Sequence, residues 1–401
     1  MVTQTANPGT PAETDRLAEK LIPHYSGFGV GEKLLFTGHS HQAWPDRAFS
    51  CLEEYRSDVA GLVDDKWGRA FAKTAKLRKY LKDYYRDPDG NYTLGPNTHQ
   101  LLNAFLSALG LEKGGHLITT DGEFHSMNRQ LRSLKQNGTD VSFIDSGAAD
   151  LADRIYREVK ADTRAVLVSR VFFRTGRVNR ETEAIAGFLN EKKIPLLIDD
   201  YHGTNVLPLN LGASPLDKCY LLTGGYKYLQ WGEGNCFLRY PENCELKPVI
   251  TGWLAAFGHL TDDDNTGIGF DAGENKFAGA TYDPFSQYRA AEVIDFFEEM
   301  NLTPAVLQSA YAVQREYFRE LVRDSGAGFL LPEGNYGQAG FIVLKHPAAD
   351  AIHEALKKEG VLTDYRGDSL RFGFAPYVTT GKMQKAVTIL EKTLRTLKLT
   401  S

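Results

Sequence analysis

Short apolar runs alternate with longer helical patterns through the middle of the chain. The runs fall at residues 116–120, 141–144, 165–171, 194–198, 218–223 and 235–238, and helical patterns at 98–109, 126–136, 149–160 and 181–191 lie between several of them. Strands alternating with helices of this length predict βαβ units and a largely parallel sheet. Upstream, residues 15–25 read as a helix and Leu34, Leu35 and Phe36 as a short strand. Residues 47–86 form a long helical zone, interrupted near Gly61 and ended by Pro88, Asp89 and Gly90. The pattern changes near Tyr282, Asp283 and Pro284. A helical stretch over 285–325, broken at 301–304, leads into a strand (340–344), a helix (348–359), a strand (369–374) and a closing helix (382–397). The chain therefore divides into a loose tail over 1–15, a large domain over 16–284 and a small α+β domain over 285–401.

Composition narrows the functional classes. At 401 residues, 42% hydrophobic and 24% charged, the chain is an ordinary globular protein rather than a disordered or fibrous one. Forty-six Lys and Arg against 51 Asp and Glu leave a net charge of -5, which gives no basic field for a nucleic-acid backbone. No apolar run reaches the roughly 18 residues a membrane span needs, and the first residues lack the basic-then-apolar order of a signal peptide. The expected location is the cytoplasm. Cys51, Cys219, Cys236 and Cys244 sit at no metal-ligand spacing; buried free thiols fit better than a Cys236–Cys244 pair.

Five segments carry candidate chemistry. Leu196-Leu197-Ile198-Asp199-Asp200-Tyr201-His202 puts acid and histidine at the carboxyl end of a strand, where α/β sheets build sites, although an Asp there also caps helices. In Thr223-Gly224-Gly225-Tyr226-Lys227-Tyr228, a lysine between aromatics is a candidate for a lowered pKa, as Schiff-base chemistry needs. Gly95-Pro96-Asn97-Thr98 opens a helix whose free N–H groups suit a phosphate. Phe124 follows another strand end. Arg371, inside an apolar strand, needs an anion from the protein or from a ligand. A phosphate cradle, an aromatic plate, a strand-end acid, a lysine 28 residues beyond it and a late arginine are the parts of a pyridoxal-phosphate enzyme.

From about Leu34 to Pro376 the sequence resembles fold-type-I pyridoxal-phosphate enzymes of the class V aminotransferase group, and within it kynureninases. The matching segments are Asp199-x-x-His202, Tyr226-Lys227-Tyr228-Leu229, Arg174-Thr175-Gly176, Gly252-Trp253 and Leu370-Arg371 with Ala375-Pro376. The resemblance implies the α/β fold of type I transferases: a mostly parallel seven-stranded sheet sandwiched by helices, plus the small domain. It implies that Lys227 carries the cofactor's aldehyde and shuttles protons, Asp199 pairs with the pyridinium nitrogen, and His202 lies near the phenolic oxygen or phosphate. Tyr226 and the backbone at Pro96, Asn97 and Thr98 would hold the phosphate, Phe124 would stack on the ring, and Arg371 would clamp the substrate carboxylate. Thr281 would reach the phosphate of a neighbouring subunit in a homodimer with shared sites, with Trp253 crossing the same interface. Of two adjacent acids, the histidine at +3 favours Asp199, leaving Asp200 to cap or to face solvent.

The chain departs from the family at the less hydroxyl-rich Gly-Pro-Asn-Thr loop and at the stretched Gly252-Trp253 loop, where Gly258-His259 arrives late. It departs also at the acidic insertion Asp262-Asp263-Asp264 and at His39-Ser40-His41-Gln42-Ala43-Trp44-Pro45. His39 and His41 are candidates to touch substrate; with no third ligand they do not make a metal site. The implied activity is a kynureninase-like hydrolytic carbon–carbon lyase on a small L-amino acid, with Trp253, His41 and Arg371 at the substrate. The alternatives are a class V aminotransferase or another α/β-elimination lyase in a specialised biosynthetic pathway, or a binding protein that has lost the cofactor. A desulfurase is disfavoured, because its nucleophilic cysteine would precede the Arg371 strand and the last cysteine is Cys244.

Overall fold

A computed structural model describes residues 7–259, 268–334 and 336–399, without the side chain of His259; Asp262, Asp263 and Asp264 lie outside the described residues. Among the described residues the strands are β1 (Leu34–Leu35), β2 (Asn91–Gly95), β3 (His116–Thr120), β4 (Asp140–Ile144), β5 (Thr163–Ser169), β6 (Leu196–Asp199), β7 (Tyr220–Gly224), β8 (Cys236–Tyr240), β9 (Phe341–Lys345), β10 (Val361–Leu362), β11 (Asp364–Arg366) and β12 (Ser369–Gly373). The helices are α1 (Pro11–Leu21), α2 (Cys51–Leu62), α3 (Lys66–Tyr85), α4 (Thr98–Ser107), α5 (His125–Gln136), α6 (Leu151–Glu158), α7 (Thr182–Glu191), α8 (Phe285–Glu299), α9 (Pro304–Arg323), α10 (Ala349–Lys358) and α11 (Thr380–Thr396). Among the described residues, no helix is long and apolar enough to cross a membrane.

Seven strands form one sheet in the order β2-β8-β7-β6-β5-β3-β4. The pairs β7–β6, β6–β5, β5–β3 and β3–β4 are parallel, whereas β8 runs antiparallel to both neighbours. Both faces are covered, which is why these strands read as unbroken apolar runs rather than alternating ones. Val166, Val168 and Ile198 join one buried cluster, and Ala165, Leu167 and Leu197, from the opposite face, join the other. The carboxyl ends of β2, β3, β5, β6 and β7 consequently lie along one edge, and the loops leaving them build the site.

The first helix begins at Pro11, earlier than the sequence pattern suggests. Thr10 caps it in a reciprocal capping box with Glu13, and Pro11 occupies the first turn, where its missing N–H costs nothing. The strand β2 is not evident in the sequence pattern, since its Asn91, Tyr92 and Thr93 interrupt any apolar run. Leu34 and Leu35 do form a strand, but it pairs in parallel with β10 of the C-terminal part. The antiparallel sheet β11-β12-β9 lies beside it, and Thr37 bridges to Gly373. A buried chain of hydrogen bonds ties the two parts of the molecule: Tyr25 Oη to Gln230, Gln230 to Gln42, and Gln42 to Tyr311 on α9, each at 2.7–2.9 Å.

Candidate active site

Lys227 sits on a tight turn after β7. Gln230 N donates to Lys227 O at 3.1 Å and Trp231 N to Gly225 O at 2.9 Å, with Trp231 fully buried beneath the turn. The Gly-Gly pair is a packing requirement. A Cβ on Gly224 would meet the Tyr201 hydroxyl at 2.1 Å, and one on Gly225 would meet the Trp231 Cβ at 2.8 Å. With that turn seated, the Lys227 amine faces a cavity lined by Thr98, Phe124, Ser169, Asp199, His202 and Tyr226 among others.

Aromatic rings surround the amine, at 4.8 Å from the centroid of Tyr201, 5.5 Å from Phe124 and 5.7 Å from Tyr226. Burial lowers its pKa to about 7, against the raising effect of the Asp199 carboxylate and with a further lowering by Arg371. The same burial raises the pKa of Asp199. Low-dielectric surroundings thus press both groups towards their neutral forms. The Nε2 of His202 lies 2.7 Å from the Lys227 Nζ. Burial first, then the Lys227 and Arg371 charges, hold its pKa well below the usual range, so the ring is neutral and shares a hydrogen bond with the amine.

The two adjacent acids have opposite fates. Asp199 ends β6 facing the cavity, and its Oδ1 accepts from Tyr201 N at 3.0 Å. Asp200 does not cap a helix or meet solvent, as the sequence reading expects. It is fully buried, paired with Arg170 at 2.5 Å and accepting from the Tyr85 hydroxyl at 2.8 Å. Asp200, one residue past the end of β6, is not among the residues lining the cavity, so only Asp199 of the two acids serves it.

At the helix start, Thr98 lines the cavity, but the Asn97 side chain accepts from Gln100 N and so caps its own helix. Pro96 has no N–H to donate; it shapes the turn and lines an adjacent cleft. Arg371 is buried on β12 with its anion supplied by the protein. Asp364, its cross-strand partner on β11, lies 2.5 Å away, and Phe173 O accepts from the other end of the guanidinium. The Arg371 Nε is buried without a partner. His41 is exposed and stacks on Tyr226 at 5.0 Å, beside Glu233 at 3.5 Å, whereas His39 is fully buried against Phe341. Thr281 and Trp253 are not among the residues lining the Lys227 cavity. They bond to each other at 3.3 Å, and Thr281 lines the neighbouring cleft.

The donor set suits the expected cofactor. A buried amine, an acid across the same cavity, an aromatic plate and a helix start match an aldehyde, a ring nitrogen, a ring face and a phosphate. The Nδ1 of His202 and the Nε of Arg371, both buried and unpartnered, leave two polar groups for a ligand to satisfy. The sequence reading does not single out Ser169 or Glu123. Nothing but a strand end marks Ser169, and Glu123 reads as a loop acid until the fold buries it. Asp364 is missed as well; only the register of β11 on β12 puts it opposite Arg371.

A family model described as the kynureninase C-terminal domain matches residues 310–390. A kynureninase of Pseudomonas fluorescens is 26% identical over 281 residues, 66% of this chain and 63% of that protein. A putative cysteine desulfurase, IscS 1, of Bacillus subtilis (strain 168) is 25% identical over 242 residues, 59% of this chain and 56% of that protein. The shared stretch thus covers less than two thirds of either relative. Among solved structures, a mutant of C-DES with glycine covalently linked to its PLP cofactor superposes with a TM-score of 0.76 at 18% identity, covering 92% of this chain and 98% of that one. That likeness establishes the fold as type I.

Proposed function

We propose that this fold-type-I chain, with kynureninases and cysteine desulfurases as its sequence relatives, is a pyridoxal-phosphate-dependent enzyme of the class V group, and that it cleaves a carbon–carbon bond of a small L-amino acid by hydrolysis, as a kynureninase does. One observation carries the reading: Lys227, on the turn after β7, and Asp199, at the end of the adjacent strand β6, line the same buried cavity together with Phe124. Pyridoxal phosphate, when bound, supplies an aldehyde for an amine and a ring that takes up carbanion charge.

Each residue then has a task. Lys227 Nζ, which gives up its proton at about pH 7 rather than in the usual lysine range, is the nucleophile for the aldehyde and afterwards the base and acid that moves a proton at the substrate carbons. His202 Nε2 orients that amine. Asp199 holds a proton on the ring nitrogen, and Phe124 fixes the ring plane. Thr98, at the start of α4, offers N–H and hydroxyl to the phosphate, with Tyr226 beside it. Arg371 presents its free Nε–H to the substrate carboxylate while Asp364 and Phe173 O hold the guanidinium in place.

The family match over residues 310–390, which includes Arg371, favours the kynureninase-like reading. Desulfurases that carry sulfur on a protein cysteine fit less well. All four cysteines are buried and free, and burial pushes Cys51 and Cys236 up to about 11 and Cys219 to about 12, so no thiolate is available at the cavity. The second reading is an α/β-elimination lyase or an aminotransferase using the same residues; the fold neighbour C-DES is described as a cystine C–S lyase. Incubation of the purified protein with kynurenine decides: alanine release supports the hydrolase, and amino transfer to a keto acid supports the alternative. We place the enzyme in the cytoplasm as a homodimer in which Thr281 and Trp253 complete the partner's site, since neither serves the cavity of its own subunit.

A further inference from the structure

Glu123 follows β3 and immediately precedes Phe124, and only 2% of its surface is exposed. Its Oε1 accepts from the Thr120 hydroxyl at 2.5 Å and from Ser169 N at 3.1 Å, and its Oε2 lies 2.5 Å from the Ser169 hydroxyl. Among the described residues no Lys or Arg side chain pairs with it. Ser169 ends β5, lines the cavity, and is the register partner of Asp199 on the parallel strand β6. Side chains at paired positions of parallel strands point to the same side, so the Ser169 hydroxyl, bonded to Glu123, shares the cavity side of the sheet with the Asp199 carboxyl.

From this geometry we propose that Glu123 is a positioning residue that holds a proton and, through the Ser169 hydroxyl, keeps Asp199 ionised towards the cofactor. The inference rests on the reading that Asp199 faces the ring nitrogen. Two carboxyls in a dry site do not both ionise cheaply, and the proton settles on the one with less cationic support. Lys227 stands by Asp199; Glu123 has only hydroxyls and an amide. Burial, with a smaller push from the Asp199 charge, raises the pKa of Glu123 to about 7 against the lowering effect of its bonds from Ser169 and Thr120. With the proton on Oε2, Glu123 is the donor in its contact with Ser169, and the serine's own hydrogen is free to turn to the cavity and Asp199. When Glu123 ionises, Ser169 must donate back to it. Asp199 then loses a donor and gains a like charge behind it.

The test uses two readouts. In cofactor-free protein, infrared spectroscopy reports the C=O stretch of a protonated carboxyl. The wild type is expected to show a band that titrates around pH 7 and is missing in Glu123→Gln. In cofactor-loaded protein, the visible absorbance is expected to show a matching step. Glu123→Gln, isosteric with the protonated acid and still a donor to Ser169, keeps the cofactor and loses the step; Ser169→Ala keeps the infrared band but also loses the step. A wild type without the band, or a Glu123→Gln variant with the step unchanged, overturns the inference. Protein that takes up no cofactor overturns the cofactor reading instead, and the infrared result alone then decides whether Glu123 holds the proton.

Discussion

Asp199 and Asp200, adjacent in sequence, separate chemistry from stability at the scale of single residues. Asp200→Asn leaves Arg170 buried without its charge partner, a change that costs about 3–5 kcal/mol, and a lowered melting temperature is expected. Asp199→Asn is expected to melt like the wild type while losing most turnover. If the two variants lost stability equally, the assignment of Asp199 to the cavity would be wrong. The amine makes a second prediction. A solvated lysine loses its proton near pH about 10.4. With burial holding Lys227 at about 7, capture of pyridoxal phosphate by cofactor-free protein should accelerate as pH rises through about 7 and then level off. Acceleration only near the solvated value would contradict the buried site.

Turns between elements decide where those residues end up. The Gly224-Gly225 pair lets the Lys227 turn close over Tyr201 and Trp231. Gly224→Ala overfills that contact, which typically costs about 1–3 kcal/mol. Thermal melting should show the loss, and Tyr201→Leu in the same chain should recover part of it; unchanged loss in the double variant would mean that the two residues do not press on each other. This level also shows what the sequence made readable. The parallel sheet was legible because both of its faces are buried, leaving runs such as Ala165 to Val168 unmistakable, and Lys227 and Asp199 stood out at their carboxyl ends. Strand β2 was hidden by polar Asn91 and Thr93. The burial of Asp200, the seat of Asp364 on Arg371 and the contact of Glu123 with Ser169 were hidden for another reason. Each depends on register between segments distant in sequence, which local patterning does not encode.

For the whole molecule, the distribution of Thr281 and Trp253 is what argues for a shared site. If the partner's Thr281 completes each cavity, mixing Lys227→Ala subunits with Thr281→Ala subunits should restore activity that neither homodimer has, because a mixed dimer contains one intact cavity. No recovery after confirmed subunit exchange would place each site within one chain. The small part is held against the Lys227 turn by the Tyr25, Gln230, Gln42 and Tyr311 chain, so Arg371 and the amine are kept in one frame. The account as a whole stands on that amine. Borohydride reduction of the yellow cofactor-loaded protein, followed by digestion and mass spectrometry, should find the pyridoxyl group on the peptide containing Lys227; a label on another lysine, or none at all, would contradict it.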